Sequence, residues 1–256
     1  MVVAFGPRFS GEIAPAATPG DRPEGLCDFA VIEGAGGLLA PATKRDLLFW
    51  VQGDARGDVL DRALAIHRAL GAAAHLELDL TGFAYRDSRD LTGFIDGTAN
   101  PKDAERREVA LVQAGLPGAG GAFVLSQKWV HDLEAFRALP VAEQERVIGR
   151  TKADSIELEG AAMPADSHVS RTDVKRGGVA QKIYRRSTPF GGAAEHGLYF
   201  LAFAREPSRF DVQLRSMFGV SEDGLCDRLT GFSRPTTGSY WFAPSEDTLM
   251  RLGEER

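Results

Sequence analysis

Cysteine is scarce in this sequence, and long apolar segments are absent from it. The two cysteines, Cys27 and Cys226, lie far apart and do not have the close spacing of metal ligands. No apolar run reaches the length of a transmembrane helix, and no basic segment followed by a long apolar segment indicates a signal peptide. These absences favour a reducing compartment, and we expect a cytoplasmic location.

Positively charged residues are fewer than negatively charged ones. The 256 residues include 30 lysines and arginines against 36 aspartates and glutamates, which gives a net charge of −6. This balance supports neither nucleic acid nor an acidic membrane surface as a partner. A hydrophobic content of 43% is enough for a full core, in one large domain or two smaller ones.

The most informative segment is the loop 93–101, GFIDGTANP. Gly93 and Gly97 permit backbone angles closed to other residues, and the apolar Phe94 predicts that the loop packs inward. Such packing would desolvate Asp96 and shift its pKa, as is typical of a catalytic acid or base. Taken alone, an Asp-Gly-Thr turn favours a capping role for Asp96. The phosphatase motif Asp-x-Asp-Gly-Thr does not match, because Phe94 stands where that motif has its nucleophile.

The spacing of apolar residues predicts an α+β fold. After residue 115 it predicts the ferredoxin-like order β-α-β-β-α-β. We expect strands at 122–130, 181–186, 198–204 and 240–242, and helices at 133–139, 141–149, 208–218 and 245–252. Before residue 115 it predicts strands at 2–5, 47–51 and 75–83 and a helix at 58–73. We therefore predict two ferredoxin-like halves, as in dimeric α+β barrels. Residues 1–115 form a first half that is incomplete at the N-terminus and carries the loop 93–101, and residues 116–256 form the second.

The five histidines show none of the pair spacings that bind zinc. His67, His75 and His131 lie on or beside predicted helices and strands, where a structural role is the common one. His168 differs because it lies in a polar loop. A single imidazole without a second protein ligand suits haem, whose porphyrin supplies the other donors, although this observation alone favours an ordinary structural histidine. A Cys-x-x-Cys-His motif is absent, so covalent haem attachment is excluded.

Arg185 follows a short predicted strand. A guanidinium near a buried carboxylate would stabilise charge that develops on a bound oxygen. The competing explanation is an arginine on a solvated edge strand, and the residue alone does not choose between the two.

Taken in order, the motifs of the chain are far more specific than any one of them. After the loop 93–101 come 148–152 (IGRTK), 166–169 (DSHV), 183–191 (IYRRSTPFG), 196–200 (HGLYF) and 232–238 (FSRPTTG). This series resembles the dye-decolourising haem peroxidases, and it is most similar to their compact, cytoplasmic bacterial branch. The resemblance runs from Val2 to the C-terminus, and it implies two ferredoxin-like halves with haem b held mainly by the second.

The resemblance also implies a role for each matching residue. His168 corresponds to the proximal ligand of the haem iron, and Asp227 to the carboxylate that binds the outer nitrogen of that histidine. Asp96 corresponds to the distal carboxylate and Arg185 to the distal arginine. The remaining implied haem-pocket residues are Ser187, Phe200 and Gly97.

The implied activity is reduction of hydrogen peroxide coupled to oxidation of aromatic donors such as dyes and phenols. The implied partners are peroxide and a small aromatic reductant, and family members are commonly homo-oligomers. A bulky reductant would need a surface residue for electron transfer, and the candidates are Tyr184, Tyr199, Tyr240, Trp50, Trp129 and Trp241. Two alternatives remain open: a haem-handling or iron-recovering protein, similar to a deferrochelatase, and an inactive truncated member of the family.

Overall fold

Hydrogen bonding joins strands from both ends of the chain in one antiparallel sheet of eight strands. The computed structural model describes residues 1–9 and 19–254. Within them the strands are β1 (Val2–Phe5), β2 (Ile32–Glu33), β3 (Leu39–Ala40), β4 (Leu47–Trp50), β5 (Ala122–His131), β6 (Lys175–Arg176), β7 (Val179–Ala180), β8 (Tyr184–Arg185), β9 (Thr188–Gly191), β10 (His196–Ala204), β11 (Ser233–Pro235) and β12 (Ser239–Ala243).

The described part of the chain contains seven α-helices whose two ends are both defined. They are α1 (Arg56–Leu70), α2 (Asp103–Ala110), α3 (Leu133–Ala138), α4 (Val141–Ile148), α5 (His168–Thr172), α6 (Ser208–Met217) and α7 (Glu246–Glu254). Short 3-10 helices span Pro19–Asp21, Ala35–Gly37, Gly71–Ala73, Gly160–Ala162 and Arg228–Gly231. None of the helices within residues 1–9 and 19–254 combines the length and the apolar character needed to cross a bilayer.

The large sheet has the order β4-β1-β12-β5-β10-β8, with β11 also paired to β5 and β9 also paired to β10. The strand β1 lies between β4 and β12, so residues of the first predicted half join the sheet of the second. The strands β5 and β10 are the longest, and their register pairs Phe200 with Gln127 and Ala202 with Leu125. These two strands therefore form the centre of the sheet and carry side chains on both of its faces.

Alternation along β5 and β10 separates the side chains into two layers. On one face Leu125 and Ala202 pack against Phe210 and Leu214 of α6, in the main hydrophobic core. The other face carries a second cluster, which consists of Ala4, Ala110, Ala122, Val124, Leu201, Phe203, Trp241 and Ala243. Because both faces are covered, β10 is almost continuously apolar, whereas β5 also carries the polar residues Ser126, Gln127 and Lys128.

Most predicted elements are confirmed, with shifts of one to three residues at their ends. The predicted strands 122–130, 198–204 and 240–242 are β5, β10 and β12, and the predicted helix 208–218 is α6. The helix expected at 58–73 is α1, which begins at Arg56 and ends at Leu70 before a 3-10 turn. The α+β, ferredoxin-like fold class is confirmed. The boundary between residues 115 and 116 remains a prediction, and residues 255 and 256 of the second half lie outside the described part.

The strand predicted at 75–83 is wrong. In this segment only Gly82 forms a β-bridge, with Phe190, and residues on either side are exposed. Leu76 and Phe83 expose 54% and 40% of their surface. Alternation of apolar and polar residues describes a strand with one buried face, but a strand also needs a neighbouring edge to bond to. The strand β9 lies opposite this segment, but in the described structure only one residue pair, Gly82 with Phe190, joins the two.

Candidate functional site

A cavity of about 460 Å³ lies beside the central strands of the sheet. It is lined by apolar side chains from β5, β10 and α6, such as Leu125, Leu198 and Phe210, and by a smaller set of polar groups. A mostly apolar hollow with a few convergent polar groups is typical of a cofactor site. The predicted site residues that line it are Asp96, Gly97, His168, Arg185, Ser187 and Phe200.

His168 is held by the helix that it begins. Ser167 caps α5, since its hydroxyl accepts a hydrogen bond from the backbone N–H of Ser170 at 3.2 Å. The Nδ1 atom of His168 lies 2.6 Å from Oδ2 of Asp227. With Nδ1 bonded in this way, Nε2 is the imidazole nitrogen that is left to bind a metal, and the carboxylate fixes the orientation of the ring.

Asp227 holds His168 in place through a buried carboxylate whose two oxygens are both hydrogen-bonded. Its side chain is 1% exposed, and its second oxygen accepts a hydrogen bond from the backbone N–H of Leu229 at 2.9 Å. It caps the 3-10 helix Arg228–Gly231, and that turn fixes the position of the carboxylate. Because both oxygens are engaged, the carboxylate can neither rotate nor move without breaking a bond.

The loop 93–101 has the inward-packed form that its sequence predicts. Phe94 is 4% exposed and lies in a cluster with Phe136 and Val147. Gly93 has a φ of +92°, and a Cβ at this position would lie 2.8 Å from Cε of Lys152. Its left-handed conformation therefore favours glycine, whereas the contact is with the flexible end of a lysine side chain, which can move aside.

An arginine fastens the same loop to the neighbouring segment. Arg89 donates hydrogen bonds from Nη1 to the carbonyl oxygens of Gly93, at 2.8 Å, and of Lys152, at 2.7 Å. The backbone N–H of Asp96 bonds to the carbonyl of Ser88 at 3.0 Å. The backbone on both sides of Asp96 is thus tied down, and its carboxyl group is presented to the cavity.

The carboxyl group of Asp96 holds its proton more tightly than an ordinary aspartate. Burial raises its pKa above the usual value of 3.8, the positive charge of Arg185 acts against this, and the negative charge of Asp90 reinforces it. A carboxylate that is less stable as an anion is a better proton acceptor. Asp96 is therefore suited to take up and release a proton within the cavity.

A buried network surrounds Asp90, next to the loop. Its carboxylate accepts hydrogen bonds from the backbone and the hydroxyl of Thr92, at 2.9 and 2.5 Å, and lies 3.3 Å from Nε2 of His131. Nδ1 of His131 lies 2.7 Å from the hydroxyl of Ser233. Burial opposes ionisation of Asp90, but the bonds from His131 and Thr92 outweigh it and hold the pKa below the ordinary value. Asp90 therefore places a fixed negative charge near Asp96.

Arg185 is coupled to the loop through a single side chain. Oδ1 of Asn100 accepts a hydrogen bond from the backbone N–H of Arg185 at 2.8 Å, and Nδ2 of Asn100 donates one to the Arg185 carbonyl at 2.7 Å. This two-point clamp joins residues 85 positions apart, and so it sets the position of Arg185 relative to Asp96. Burial lowers the pKa of the Arg185 guanidinium from 12.5, and the charge of Asp96 acts against this change. The group stays cationic at any physiological pH.

Strand register explains why Arg185 and Phe200 reach the same cavity. Arg185 pairs with Ala202 of β10, and cross-strand partners project from the same face of a sheet. Phe200 lies two residues from Ala202 and shares that face. Ser187 accepts a hydrogen bond from the backbone N–H of Leu201 at 3.4 Å and also lines the cavity.

The structure thus brings together the site residues that the sequence predicts. Asp96, Gly97, His168, Arg185, Ser187 and Phe200 share one cavity, and Asp227 bonds to His168 from outside it. Their individual roles remain predictions. Of the aromatic candidates for surface electron transfer, Trp129, Tyr240 and Trp241 are buried, whereas Trp50, Tyr184 and Tyr199 are half-buried.

Sequence reasoning missed several groups of this site. The sequence assigned no role in the site to Asn100, predicted only a structural role for His131, and did not point to Asp90 or Gln127. A polar residue within the apolar alternation of β5 was the one available signal for Gln127. No local sequence pattern indicated the clamp of Asn100 on Arg185, because only the fold brings these two residues together.

The donor set fits a haem group better than a bare metal ion. Within residues 1–9 and 19–254, no group of three or more His, Cys, Asp or Glu side chains could hold a metal ion. A porphyrin supplies four donors itself and needs one axial imidazole, such as His168 with its anchored Nδ1. The mostly apolar lining suits the flat face of a macrocycle.

Comparison with known proteins points in the same direction. Residues 87–248 match the family described as "Dyp-type peroxidase, C-terminal". The "Dye-decolorizing peroxidase" of Mycobacterium tuberculosis is 38% identical over 234 residues, which are 90% of this chain and 70% of that protein.

Solved structures agree with the sequence match. A variant of Rhodococcus jostii RHA1 DypB in complex with heme superposes with a TM-score of 0.91 at 38% identity, over 97% of this chain and 80% of that one. The dye-decolorizing protein from V. cholerae gives a TM-score of 0.85 at 41% identity, over 98% of this chain and 81% of that one.

Proposed function

Because this chain belongs to the dye-decolourising (Dyp-type) peroxidase family, we propose that its cavity holds haem b and that Nε2 of His168 would bind the iron. The protein is a haem peroxidase, an oxidoreductase that uses hydrogen peroxide and a reducing substrate. One observation carries the assignment of its site. A carboxylate-anchored histidine, His168 with Asp227, lines the same cavity as the acid–cation pair of Asp96 and Arg185.

Haem, when bound, would supply the electrons that cleave the O–O bond of hydrogen peroxide. Asp96 accepts a proton from one oxygen of hydrogen peroxide, directly or through a water, and returns it to the other oxygen, which leaves as water. Arg185 stabilises the negative charge that develops as the bond breaks. The clamp of Asn100 on Arg185 keeps these two side chains in a fixed relation throughout.

His168, which Asp227 holds in place, would affect the same reaction through its bond to the iron. The Asp227 carboxylate, 2.6 Å from Nδ1, increases the basicity of the His168 ring and holds it in one orientation. A more basic His168 would favour cleavage of the O–O bond when haem is bound, and the reducing substrate would supply the electrons that this cleavage consumes.

We propose small aromatic molecules such as phenols and dyes as the reductants. A haem group would fill much of the cavity of about 460 Å³, so a larger donor would give its electrons through a surface residue. The half-buried Trp50, Tyr184 and Tyr199 are the accessible candidates. The family resemblance supports a homo-oligomer, and we expect neither nucleic acid nor a membrane as a partner. The exposed free thiol of Cys27 supports a cytoplasmic location.

A haem-handling role is the alternative from a different class. The matched relatives are peroxidases by name and give it no support. It would require protoporphyrin to accumulate from haem in the absence of peroxide. An inactive member of the family would bind no haem at all.

Reconstitution with haemin tests the proposed function. We expect a Soret band when haemin is added to the purified chain, and oxidation of an anthraquinone dye only when hydrogen peroxide is also present. Binding without dye oxidation, together with release of free protoporphyrin, would favour haem handling. Absence of a Soret band would contradict haem binding itself.

The charge of Asp90 leads to a prediction about pH. Asp96 must be deprotonated to act as a base, so the rate of reaction with peroxide should fall as pH decreases through its raised pKa. Asp90→Asn removes a negative neighbour, which lowers the pKa of Asp96, so this acidic limb should move to lower pH. Stopped-flow measurement of the second-order rate constant across pH checks the shift.

A matched control separates the charge of Asp90 from its structural bonds. Thr92→Val removes the hydroxyl that bonds to Asp90 at 2.5 Å but leaves the carboxylate in place. We expect its acidic limb close to that of the parent. An Asp90→Asn profile that coincides with the parent profile would show that Asp90 does not tune Asp96.

A further inference from the structure

Gln127 carries a buried donor that the protein itself does not satisfy. The side chain is 0% exposed and lines the cavity. Its Nε2 atom has no hydrogen-bond partner among the residues that the structure describes. A buried amide donor without a partner destabilises the fold, unless a molecule bound in the cavity accepts its hydrogen bond.

The orientation of this amide is fixed by its neighbour. Nε1 of Trp129 donates a hydrogen bond to Oε1 of Gln127 at 3.3 Å. An indole N–H is a donor only, so the carbonyl oxygen of the amide must face Trp129 and the NH₂ group must face away. The unsatisfied atom of Gln127 is therefore a donor, and an acceptor is what it lacks.

The strand register places Gln127 on the same face of the sheet as Arg185. Gln127 pairs with Phe200, and two residues along β10 Ala202 pairs with Arg185. Cross-strand partners share a face, so Gln127 and Arg185 project from the same face of the sheet. They are two strand spacings apart across the sheet and two residues apart along it, which is roughly 12 Å. Gln127 and Arg185 therefore line the same cavity from one face of the sheet.

The surroundings of Gln127 select the kind of acceptor. Its neighbours on this face are Leu125, Trp129 and Phe200, which carry no positive charge. A haem propionate would have to bury its negative charge here beside a neutral amide, which is costly. A neutral oxygen, such as that of water or hydrogen peroxide, needs no such compensation.

We propose that Nε2 of Gln127 donates a hydrogen bond to the oxygen species bound in this cavity, hydrogen peroxide or the water that precedes it. This inference rests on the proposed function and adds a third polar group to Asp96 and Arg185. Gln127 would hold the peroxide in place, while Asp96 moves its proton and Arg185 stabilises its charge.

Fluoride provides the test, since it binds ferric haem iron as an acceptor of hydrogen bonds from nearby donors. We expect the haem-loaded Gln127→Leu and Gln127→Met variants to bind fluoride about fivefold to tenfold more weakly than the parent, as for the loss of one hydrogen bond. The rate of haem transfer to apomyoglobin should be unchanged. Gln213→Leu is the matched control, because Gln213 is a second buried glutamine of the cavity lining whose Nε2 already donates to the carbonyl of Gln181 at 2.5 Å. Its fluoride affinity should stay within about twofold of the parent.

Each other outcome overturns the proposal. Parental fluoride affinity in both Gln127 variants would show that the amide does not reach the bound ligand. Faster haem loss with unchanged fluoride affinity would assign the donor to a propionate. Equal weakening by Gln213→Leu would assign the effect to packing. If the parent chain binds no haemin, both the proposed function and this inference are wrong. Every other outcome leaves the proposed function intact.

Discussion

Replacement of His168 by alanine should release the haem. The imidazole is the one histidine side chain of the described cavity that is positioned by a carboxylate on its far nitrogen and by a capped helix on its backbone. Loss of a residue that only supports a metal ligand typically costs about 10–100-fold in affinity. Loss of the ligand itself should cost at least about a hundredfold. Titration of apoprotein with haemin, followed at the Soret band, measures it.

The control for this variant is another histidine. His67 lies exposed on α1, away from the cavity lining, and His67→Ala should bind haemin as the parent does. Added imidazole should partly restore the spectrum of His168→Ala, because it can occupy the space of the missing side chain. If His168→Ala kept the parental ferric spectrum and affinity, the axial assignment would be wrong.

Replacement of Asp96 by alanine should leave haem bound but slow its reaction with peroxide. A positioned general base contributes about 10²–10⁴-fold, and we expect a loss in that range in the second-order rate constant. Haem affinity should change little, because His168 and Asp227 remain. Stopped-flow mixing of the haem-loaded variant with hydrogen peroxide measures the rate.

A second carboxylate of the same cavity serves as the control. Asp173 also lines the cavity but is exposed at its edge, and Asp173→Asn should react within about threefold of the parent. Equal rates for Asp96→Ala and the parent would remove Asp96 from the mechanism. Equal losses in both variants would point to the total charge of the cavity instead of a positioned base.

The sequence predicted those parts of the site that depend on local chemistry. The glycines around Asp96 and the polar context of His168 are visible in short segments, and their order along the chain indicated the family. Long-range contacts are different. Asp227 lies 59 residues from His168, and the bond between them could be named only through the resemblance. Nothing local to either residue specifies it.

The errors and omissions have one physical cause. The segment 75–83 has the alternation of a strand but almost no bonding edge in the described structure, and Asn100 has the composition of a turn but acts as a clamp on Arg185. Gln127 gains its significance from the register between β5 and β10, which pairs residues more than 70 positions apart. Pairing of this kind is decided by the whole sheet, so a local pattern does not reveal it.

The position of β12 in the sheet determines when the cavity can form during synthesis. This strand, Ser239–Ala243, separates β1 from β5, and Phe5 pairs with Phe242, 237 positions further along the chain. Before residue 243 has left the ribosome, β1 has no partner on that side and β5 exposes an open edge. Contacts so distant in sequence form slowly and leave partly folded chains prone to aggregation. Haem should therefore load after translation of this strand, and a shortage of chaperones should reduce the yield of holoprotein more than that of the polypeptide.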